Sequence, residues 1–177
     1  EFFSFRLAPL QFNFLGYPGT MGVDFIDYII ADKIVISESE QKNYTESIAY
    51  MPDTYQPNDN KRRISDIKTT RSDFNLPESG FVFCCFNSNY KISSREYEIW
   101  MRILKEVKGS VLWLFKSNKW ANNNLLEEAK KRGISQKRII FADKVPPEAH
   151  LERHGHIDLF IDTFNYNAHT TASDALW

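Results

Sequence analysis

The chain has 177 residues, of which 42% are apolar and 25% charged, and its formal net charge is −1. This composition fits a folded protein with one large domain or two small ones, and the charge indicates neither a nucleic-acid nor a membrane-surface partner. No apolar segment approaches the length of a membrane span, and no signal peptide is visible. The two cysteines, Cys84 and Cys85, are adjacent in an apolar run and are predicted to be core residues, which favours a cytoplasmic protein.

The first part of the chain is predicted to form short strands and one helix. The strands are expected at residues 10–15, 25–31 and 47–51, and the helix at residues 37–44. Ser37 followed by Glu40 is the pattern of a capping box. Three of the seven glycines lie within residues 16–22, which indicates unusual backbone angles or close approach by another group. The simplest interpretation of that segment is a tight strand-to-helix turn.

Residues 52–72 differ in composition from the rest of the chain. They are polar and contain the basic triplet Lys61-Arg62-Arg63. We interpret this segment as an exposed linker and place a domain boundary near residue 73. The triplet could contact phosphate, but a solvated loop is the simpler interpretation.

From residue 73 onward, strand and helix patterns alternate four times with short connections. Strands are predicted at residues 81–86, 110–115, 138–141 and 157–162, and helices at residues 93–107, 121–132, 146–153 and from residue 169. This alternation predicts an α/β fold with a parallel sheet and helices on both faces. Right-handed crossovers then bring the strand-to-helix loops to one edge of the sheet, where such folds bind ligands.

The loop after the last predicted strand has the features of an anion site. His169, Thr170 and Thr171 fall at the start of a helix, where backbone N–H groups have no partner and the helix dipole favours negative charge. Asp174 lies one turn further on the same side and could hold a ribose hydroxyl. An ordinary Thr-capped helix remains the alternative. Lys91, from the loop after the first strand of the second part, would suit a diphosphate at this edge.

Other polar residues at the same edge have simpler explanations. His150 and Arg153 lie three apart on a predicted helix and could be solvated neighbours. His154 and His156 could suggest a metal pair, but a third ligand at sensible spacing is missing. No Asp-x-Asp pair is evident that would hold a divalent ion against a diphosphate. We therefore expect no metal and no cofactor.

Several segments resemble the catalytic region of the protein O-linked N-acetylglucosamine transferases, including bacterial members and plant relatives of the SPINDLY type. The similarity runs in order over nearly the whole chain, and the Gly-Tyr-Pro-Gly-Thr segment at residues 16–20 and the His-Thr-Thr segment at residues 169–171 are the most specific. The other matching segments are residues 8–11, 27–32, 86–87, 90–92, 111–114, 138–141, 162–163 and 174–177, with His150 and Arg153.

The resemblance implies a GT-B arrangement, in which two Rossmann-like domains hold the donor between them. Residues 1–72 would be the C-terminal part of the first catalytic domain plus a linker, and residues 73–177 the N-terminal part of the second, nucleotide-binding domain. Family members invert the anomeric centre without a metal and transfer N-acetylglucosamine from UDP-GlcNAc to Ser or Thr hydroxyls of proteins. The chain would then be a fragment of a longer enzyme with upstream tetratricopeptide repeats, and active only within it.

The same resemblance implies roles for individual residues. Lys91 would be catalytic, as the lysine on the donor diphosphate. The implied substrate-binding residues are Thr170 and Thr171 for the diphosphate, Asp174 for the ribose, His169 for the sugar diphosphate, His150, Arg153 and the Val145 backbone for the nucleoside, and Gly16 and Pro18 for the sugar side.

Two departures from the family pattern leave the donor open. Ser88 stands where animal members have glutamine, and Pro147 stands where they have lysine. The alternatives are a nucleotide-sugar-binding module without transfer activity and, as in the plant relatives, a fucosyltransferase that uses GDP-fucose. A structural Rossmann-like domain of a repeat-protein scaffold is a third interpretation.

Overall fold

A computed structural model of the chain describes residues 2–177. The chain divides into two compact units, the first extending to Asp59 and the second running from Asn60 to Trp177. Each unit is built on a sheet whose strands all run parallel. The α/β class predicted from the strand–helix alternation is confirmed.

The first unit contains a sheet of three short strands in the order β1-β2-β3. These are β1 (Phe12–Asn13), β2 (Tyr28–Ala31) and β3 (Ser47–Tyr50), with 3₁₀-helices at Phe2–Phe5 and Glu38–Asn43. Ile29, Ala31 and Ile36 form a small buried core beside β2. The helix predicted at residues 37–44 is therefore a 3₁₀-helix, and the Glu40 carboxylate accepts from the Ser37 N–H at 3.1 Å, as the capping box requires.

The glycine-rich segment does not lead into a helix, so the predicted strand-to-helix turn is wrong. Among the described residues, β2 is the next element after β1. The Glu46 carboxylate holds the segment as a loop by accepting from Thr20 Oγ1 and from the Met21 N–H, both at 2.6 Å. Gly22 has a φ of +65°, a left-handed angle that favours glycine, which is the unusual backbone that the glycines indicated.

The second unit contains a four-stranded sheet in the order β6-β5-β4-β7. Its elements are β4 (Val82–Cys85), α1 (Ser94–Glu106), β5 (Val111–Phe115), α2 (Lys119–Lys131), β6 (Ile139–Ala142), α3 (Pro147–Glu152), β7 (Leu159–Phe160) and α4 (Thr170–Leu176). The chain builds outward from β4 to β6 and then crosses to place β7 on the other side of β4. The loops that follow β4 and β7 therefore flank the point where the strand order reverses, the usual ligand site of such sheets.

The core of this unit has two sides because successive residues of β4 point to opposite faces of the sheet. Cys85 packs in a cluster with Trp100 and Met101 of α1, whereas Cys84 packs in a second cluster with Trp113 of β5. Both cysteines are fully buried and unpaired, as their alternation within an apolar run predicted. The second cluster lies beneath the site described below.

The segment from residue 60 to residue 69, which we call the strap, begins the second unit and packs on α3. The Ser65 N–H donates to the Glu148 carbonyl at 3.2 Å, and the Thr69 N–H and hydroxyl donate to the Glu152 carboxylate at 3.0 and 2.6 Å. These contacts to α3 explain why the compact units divide after Asp59, whereas the sequence placed the boundary near residue 73. None of the helices in residues 2–177 has the length and apolar character that crossing a membrane requires.

Candidate functional site

Asn87 joins the two loops at the reversal of strand order. It follows β4, is only 3% exposed, and its amide donates to Asp162 Oδ1 at 2.9 Å and to Thr163 Oγ1 at 3.0 Å. Its carbonyl accepts from the hydroxyl of Thr171, in the first turn of α4, at 2.5 Å. One buried amide therefore fixes the start of α4 relative to the ends of β4 and β7. The sequence analysis assigned no role to Asn87, although Asn87 lies in a segment that carried the resemblance.

Glu96 holds the same loop from the side of α1. Its side chain is 1% exposed and accepts from the backbone N–H groups of Phe164 at 2.8 Å and Asn165 at 3.4 Å, while also capping α1 at Ser93. Burial would raise the pKa of the Glu96 carboxyl, but these N–H groups outweigh burial and the pKa is lowered. The buried carboxylate thus stays charged and ties residues 162–169 to α1. Sequence reasoning missed this residue, although Ser93 with Glu96 is a visible capping-box pattern.

Lys91 lies against this loop. Its ammonium donates to the Asn167 carbonyl at 3.1 Å and sits 3.9 Å from the centre of the Tyr166 ring. His169 occupies the N-cap position of α4, and burial followed by the nearby Lys91 lowers the pKa of its imidazole. The ammonium of Lys91 therefore reaches across from the loop after β4 to the segment that leads into α4.

A cleft of ≈ 450 Å³ opens beside the start of α4. Six of the predicted site residues line it, and they come from three different segments: Val145, His150, Arg153, Thr170, Thr171 and Asp174. Ser88 and Pro147, the two departures from the family pattern, also line it. The sequence thus identified residues that the fold brings to one cavity.

Arg153 and His150 form one wall of the cleft. The Arg153 guanidinium is 1% exposed, lies 4.6 Å from the Phe86 ring centre, and donates to the Asp143 carbonyl at 2.7 Å. It also faces Nδ1 of His150 at 2.5 Å, and because a guanidinium can only donate, Nδ1 must accept. The His150 proton then resides on Nε2, which lies 3.5 Å from an oxygen of Asp174.

The His150 ring is neutral at neutral pH. Burial, and then the positive charge of Arg153, lowers the pKa of His150 to about 4. A neutral imidazole presents a flat, partly apolar surface to the cleft. It also leaves the charge of the Asp174 carboxylate to be balanced by another group.

Arg62 is that group, which corrects the expectation that the whole basic triplet is a solvated loop. Lys61 and Arg63 are exposed, whereas Arg62 lines the cleft and its guanidinium forms an ion pair with Asp174. The Asp174 side chain is only 12% exposed, so an unpaired carboxylate there would be costly. The triplet alone does not reveal which of its three cations has this partner.

The remaining predicted residues lie elsewhere. Lys91 and His169 adjoin the α4 start but are not among the residues that line the cleft. Gly16 and Pro18 belong to the first unit, where the Pro18 carbonyl accepts from the Tyr44 hydroxyl at 2.9 Å.

The two histidines considered as a metal pair are engaged separately. His154 Nδ1 lies 2.7 Å from the His150 carbonyl, and His156 Nε2 lies 2.8 Å from the Thr69 hydroxyl. Across residues 2–177, no three His, Cys, Asp or Glu side chains are grouped as metal ligands would be.

A parallel α/β unit with a polar cleft at the reversal of its strand order is the arrangement of Rossmann-like nucleotide-binding proteins. The sequence profile of glycosyl transferase family 41 matches residues 1–69 and 58–177. The chain therefore belongs to glycosyl transferase family 41.

Two plant relatives of the chain are described as probable N-acetylglucosaminyltransferases. One relative is the probable UDP-N-acetylglucosamine–peptide N-acetylglucosaminyltransferase SEC of Arabidopsis thaliana, which is 35% identical to this chain. The match covers the whole of this chain and 19% of the relative. Another is the probable UDP-N-acetylglucosamine–peptide N-acetylglucosaminyltransferase SPINDLY of Petunia hybrida, which is 28% identical. That match covers 97% of this chain and 19% of the relative. The chain thus spans about a fifth of the length of these curated relatives.

The fold likeness extends over nearly the whole chain. The structure of a mutant O-GlcNAc transferase of Thermobaculum terrenum superposes on this chain with a TM-score of 0.81. The superposition covers 99% of this chain and 33% of the transferase chain, at 24% sequence identity. The fold class is that of the GT-B glycosyltransferases, with Rossmann-like parallel sheets, as the resemblance implied.

Proposed function

We propose that this chain is part of an inverting, metal-independent glycosyltransferase that moves N-acetylglucosamine from UDP-GlcNAc to Ser or Thr hydroxyls of proteins. One observation carries the proposal: in a member of family 41, the cleft of ≈ 450 Å³ brings His150, Arg153 and Asp174 together with the Thr170–Thr171 start of α4. These residues offer a flat ring for a base, a carboxylate for ribose hydroxyls and hydrogen-bond donors for a diphosphate.

The nucleoside would lie at the wall formed by His150 and Arg153. The neutral His150 ring offers a flat surface for a base, and the backbone of Val145 offers the donor and acceptor groups that a uracil edge needs. Asp174 faces the same cavity and would accept from the ribose hydroxyls. The donor would thus be held by its nucleotide, which leaves the sugar free to face an acceptor.

The diphosphate would lie at the start of α4. Thr170 and Thr171 both line the cleft there, in the first turn of α4. Their backbone N–H groups and the Thr170 hydroxyl would donate to the diphosphate, whereas the Thr171 hydroxyl donates to Asn87. Lys91 would place its ammonium near the leaving phosphate from the adjoining loop. As the acceptor oxygen bonds to the anomeric carbon, its hydroxyl proton passes to a base, the bond to the diphosphate breaks, and UDP departs with the electron pair. Fixed positive charge at that point lowers the barrier.

We also infer the wider context that the family likeness suggests. Residues 1–72 would complete the first catalytic domain and its linker, and residues 73–177 would begin the nucleotide-binding domain, with Gly16 and Pro18 closing the sugar side. Tetratricopeptide repeats would precede the catalytic region. The two free, buried cysteines suit a cytoplasmic location.

The proposal is tested by two measurements on the full-length protein. Isothermal calorimetry should give a dissociation constant for UDP between about 1 µM and 1 mM, the range common for enzyme substrates. A radiolabelled transfer assay with UDP-GlcNAc should label a protein acceptor at Ser or Thr. Absence of UDP binding at millimolar ligand would contradict the proposal and favour a structural scaffold.

A binding module without transfer activity is the second candidate, favoured by Ser88 and Pro147 in the cleft lining. Proline has no N–H to donate, and its side chain has no polar group for a phosphate or a ribose. UDP binding without label transfer would support this candidate. Competition by GDP or GDP-fucose that exceeds competition by the uridine nucleotides would instead indicate a fucosyltransferase.

A further inference from the structure

The strap carries Arg62 to the cleft and is fastened on α3. Thr69, at its end, donates twice to the Glu152 carboxylate and lies 2.8 Å from His156 Nε2, while Ser65 donates to the Glu148 carbonyl. Burial would raise the pKa of the Glu152 carboxyl, but the contacts with Thr69 outweigh burial and the pKa is lowered. The strap is therefore attached to α3 at Thr69, seven residues beyond Arg62.

Arg62 is held by two groups from α4 and the residue after it. Its guanidinium forms the ion pair with Asp174 and lies 5.2 Å from the Trp177 ring centre. The exposed fraction of the Arg62 side chain is 22%, and its Nε is enclosed without a hydrogen-bond partner among the described residues. A cation placed in this way belongs to the wall of the cleft.

Asp174 can serve a ligand without releasing Arg62. An ionised carboxylate has about four lone-pair positions, of which Arg62 uses one and His150 approaches another at 3.5 Å. The remaining positions suffice for two hydroxyl groups of a ribose. Arg62 therefore need not compete with a nucleoside for this carboxylate.

The charge of Asp174 is a problem for an anionic ligand. A nucleoside diphosphate carries negative charge, and a bare carboxylate lining the same cleft would repel it at low effective dielectric constant. Neutral His150 does not offset that charge, and the Arg153 guanidinium contacts His150 and Asp143 rather than Asp174. The cation in contact with Asp174 is Arg62.

We propose that Arg62 is a positioning residue for the nucleotide: it neutralises Asp174 and orients it, so that the carboxylate can accept from a ribose without repelling the diphosphate. The inference rests on the proposed function and extends the site to the strap. It predicts a charge-dependent effect, since uridine has the same ribose as UDP but lacks the diphosphate.

Calorimetry on the full-length protein tests this. Arg62→Met should weaken UDP binding about tenfold, because the unpaired Asp174 carboxylate would then repel the diphosphate, but should change uridine binding by about twofold or less. Arg62→Lys should restore most of the UDP affinity. Arg63→Met removes the neighbouring, exposed cation and serves as the matched control, with UDP binding unchanged.

Two further readouts separate this role from a general loss of structure. In Arg62→Met, the KM for UDP-GlcNAc should rise about tenfold while kcat stays within about threefold. The double variant Arg62→Met/Asp174→Asn should bind UDP no more weakly than Asp174→Asn alone, because no charge is then left unpaired.

Specific outcomes overturn the inference. UDP affinity of Arg62→Met within about twofold of the parent, an equal loss in Arg63→Met, or equal losses of UDP and uridine each contradict the charge role. In those cases the parent still binds UDP and the proposed function stands. If the parent itself does not bind UDP, both the inference and the proposed function fail.

Discussion

Lys91 is the residue whose contacts bear most directly on the proposed catalysis. Its ammonium already lies at the loop before α4, 3.1 Å from the Asn167 carbonyl, so a diphosphate at Thr170 and Thr171 would be nearby. Lys91→Ala should lower turnover about 10²–10³-fold, the usual size for losing one such contact at a leaving group. The measurement is kcat for transfer from UDP-GlcNAc in the full-length protein.

The matched control for Lys91 is Lys108→Ala, which removes an exposed lysine from the turn after α1. Its turnover should equal that of the parent. Activity of Lys91→Ala within about threefold of the parent would show that the ammonium does not carry the leaving-group charge.

His150 gives a prediction about pH. Its pKa in the folded chain is about 4, below the ordinary value of 6.5, so the folded state binds fewer protons than the unfolded state between these values. The stability that this histidine contributes is therefore present above about pH 6.5 and is lost as pH falls toward 4. Histidine NMR of the full-length protein, assigned with His150→Gln, should show one ring that stays neutral down to about pH 5. A His150 ring that titrates near pH 6.5 would contradict the buried arrangement with Arg153.

The residues show what a sequence can and cannot reveal. Thr170 and Asp174 were found because they begin a helix after a predicted strand, whereas His150 and Arg153 received their role from the family resemblance. The parallel sheet brings both segments to one edge. Arg62 was not found because its partner is 112 positions away and its neighbours are chemically alike. Only the packing of the strap on α3 distinguishes it from Lys61 and Arg63.

At the scale of elements, α1 positions the loop after β7 through Glu96. Glu96→Gln keeps the shape of the side chain but replaces a charged acceptor of backbone N–H groups with a neutral amide. We expect a loss of about 1–3 kcal/mol in the free energy of unfolding, as for weakened hydrogen bonds to a buried charged group. Hydrogen exchange at Phe164 and Asn165 should become faster, which can be measured by mass spectrometry on the full-length protein.

Glu106→Gln, at the exposed end of the same helix, is the comparison for Glu96. It changes the same charge without touching the loop, so exchange at residues 164–165 should stay as in the parent. Equal exchange in both variants would mean that Glu96 does not hold the loop.

The elements of the second unit were predicted well because their helical and strand periodicities are strong. The predicted strand over residues 157–162 is shorter in the structure, where β7 covers Leu159–Phe160. Its pairing nonetheless continues at both ends, since the Asp158 N–H donates to Val82 and the Ile161 N–H donates to Cys84. The loop at residues 16–22 was mispredicted because Glu46, a distant residue in sequence, determines its path.

At the scale of the whole molecule, the sheet of the second unit separates the core cluster beneath the cleft from the cluster that packs against α1. Trp113 is fully buried and packs near Phe86 beneath Arg153, whereas its neighbour Leu112 faces the cluster on the other side of the sheet. Leu112→Ala and Trp113→Leu should both lower stability, by about 2–5 kcal/mol for the alanine variant. Below their melting temperatures, only Trp113→Leu should weaken UDP binding.

This pair of variants is measured by thermal unfolding and by calorimetry with UDP, both on the full-length protein. Equal weakening of UDP binding in the two variants would show that the cleft responds to general loosening of the core rather than to the floor beneath Arg153.

The three hydrogen bonds of Asn87 have an evolutionary consequence. Its amide nitrogen donates to Asp162 and Thr163 and its oxygen accepts from Thr171, so both donors and one acceptor position are already used. An aspartate at position 87 would set two carboxylates against each other, and a leucine would remove the acceptor of the Thr171 hydroxyl. In an alignment of homologous sequences, positions 87, 162 and 171 should accordingly vary as a set or not vary at all.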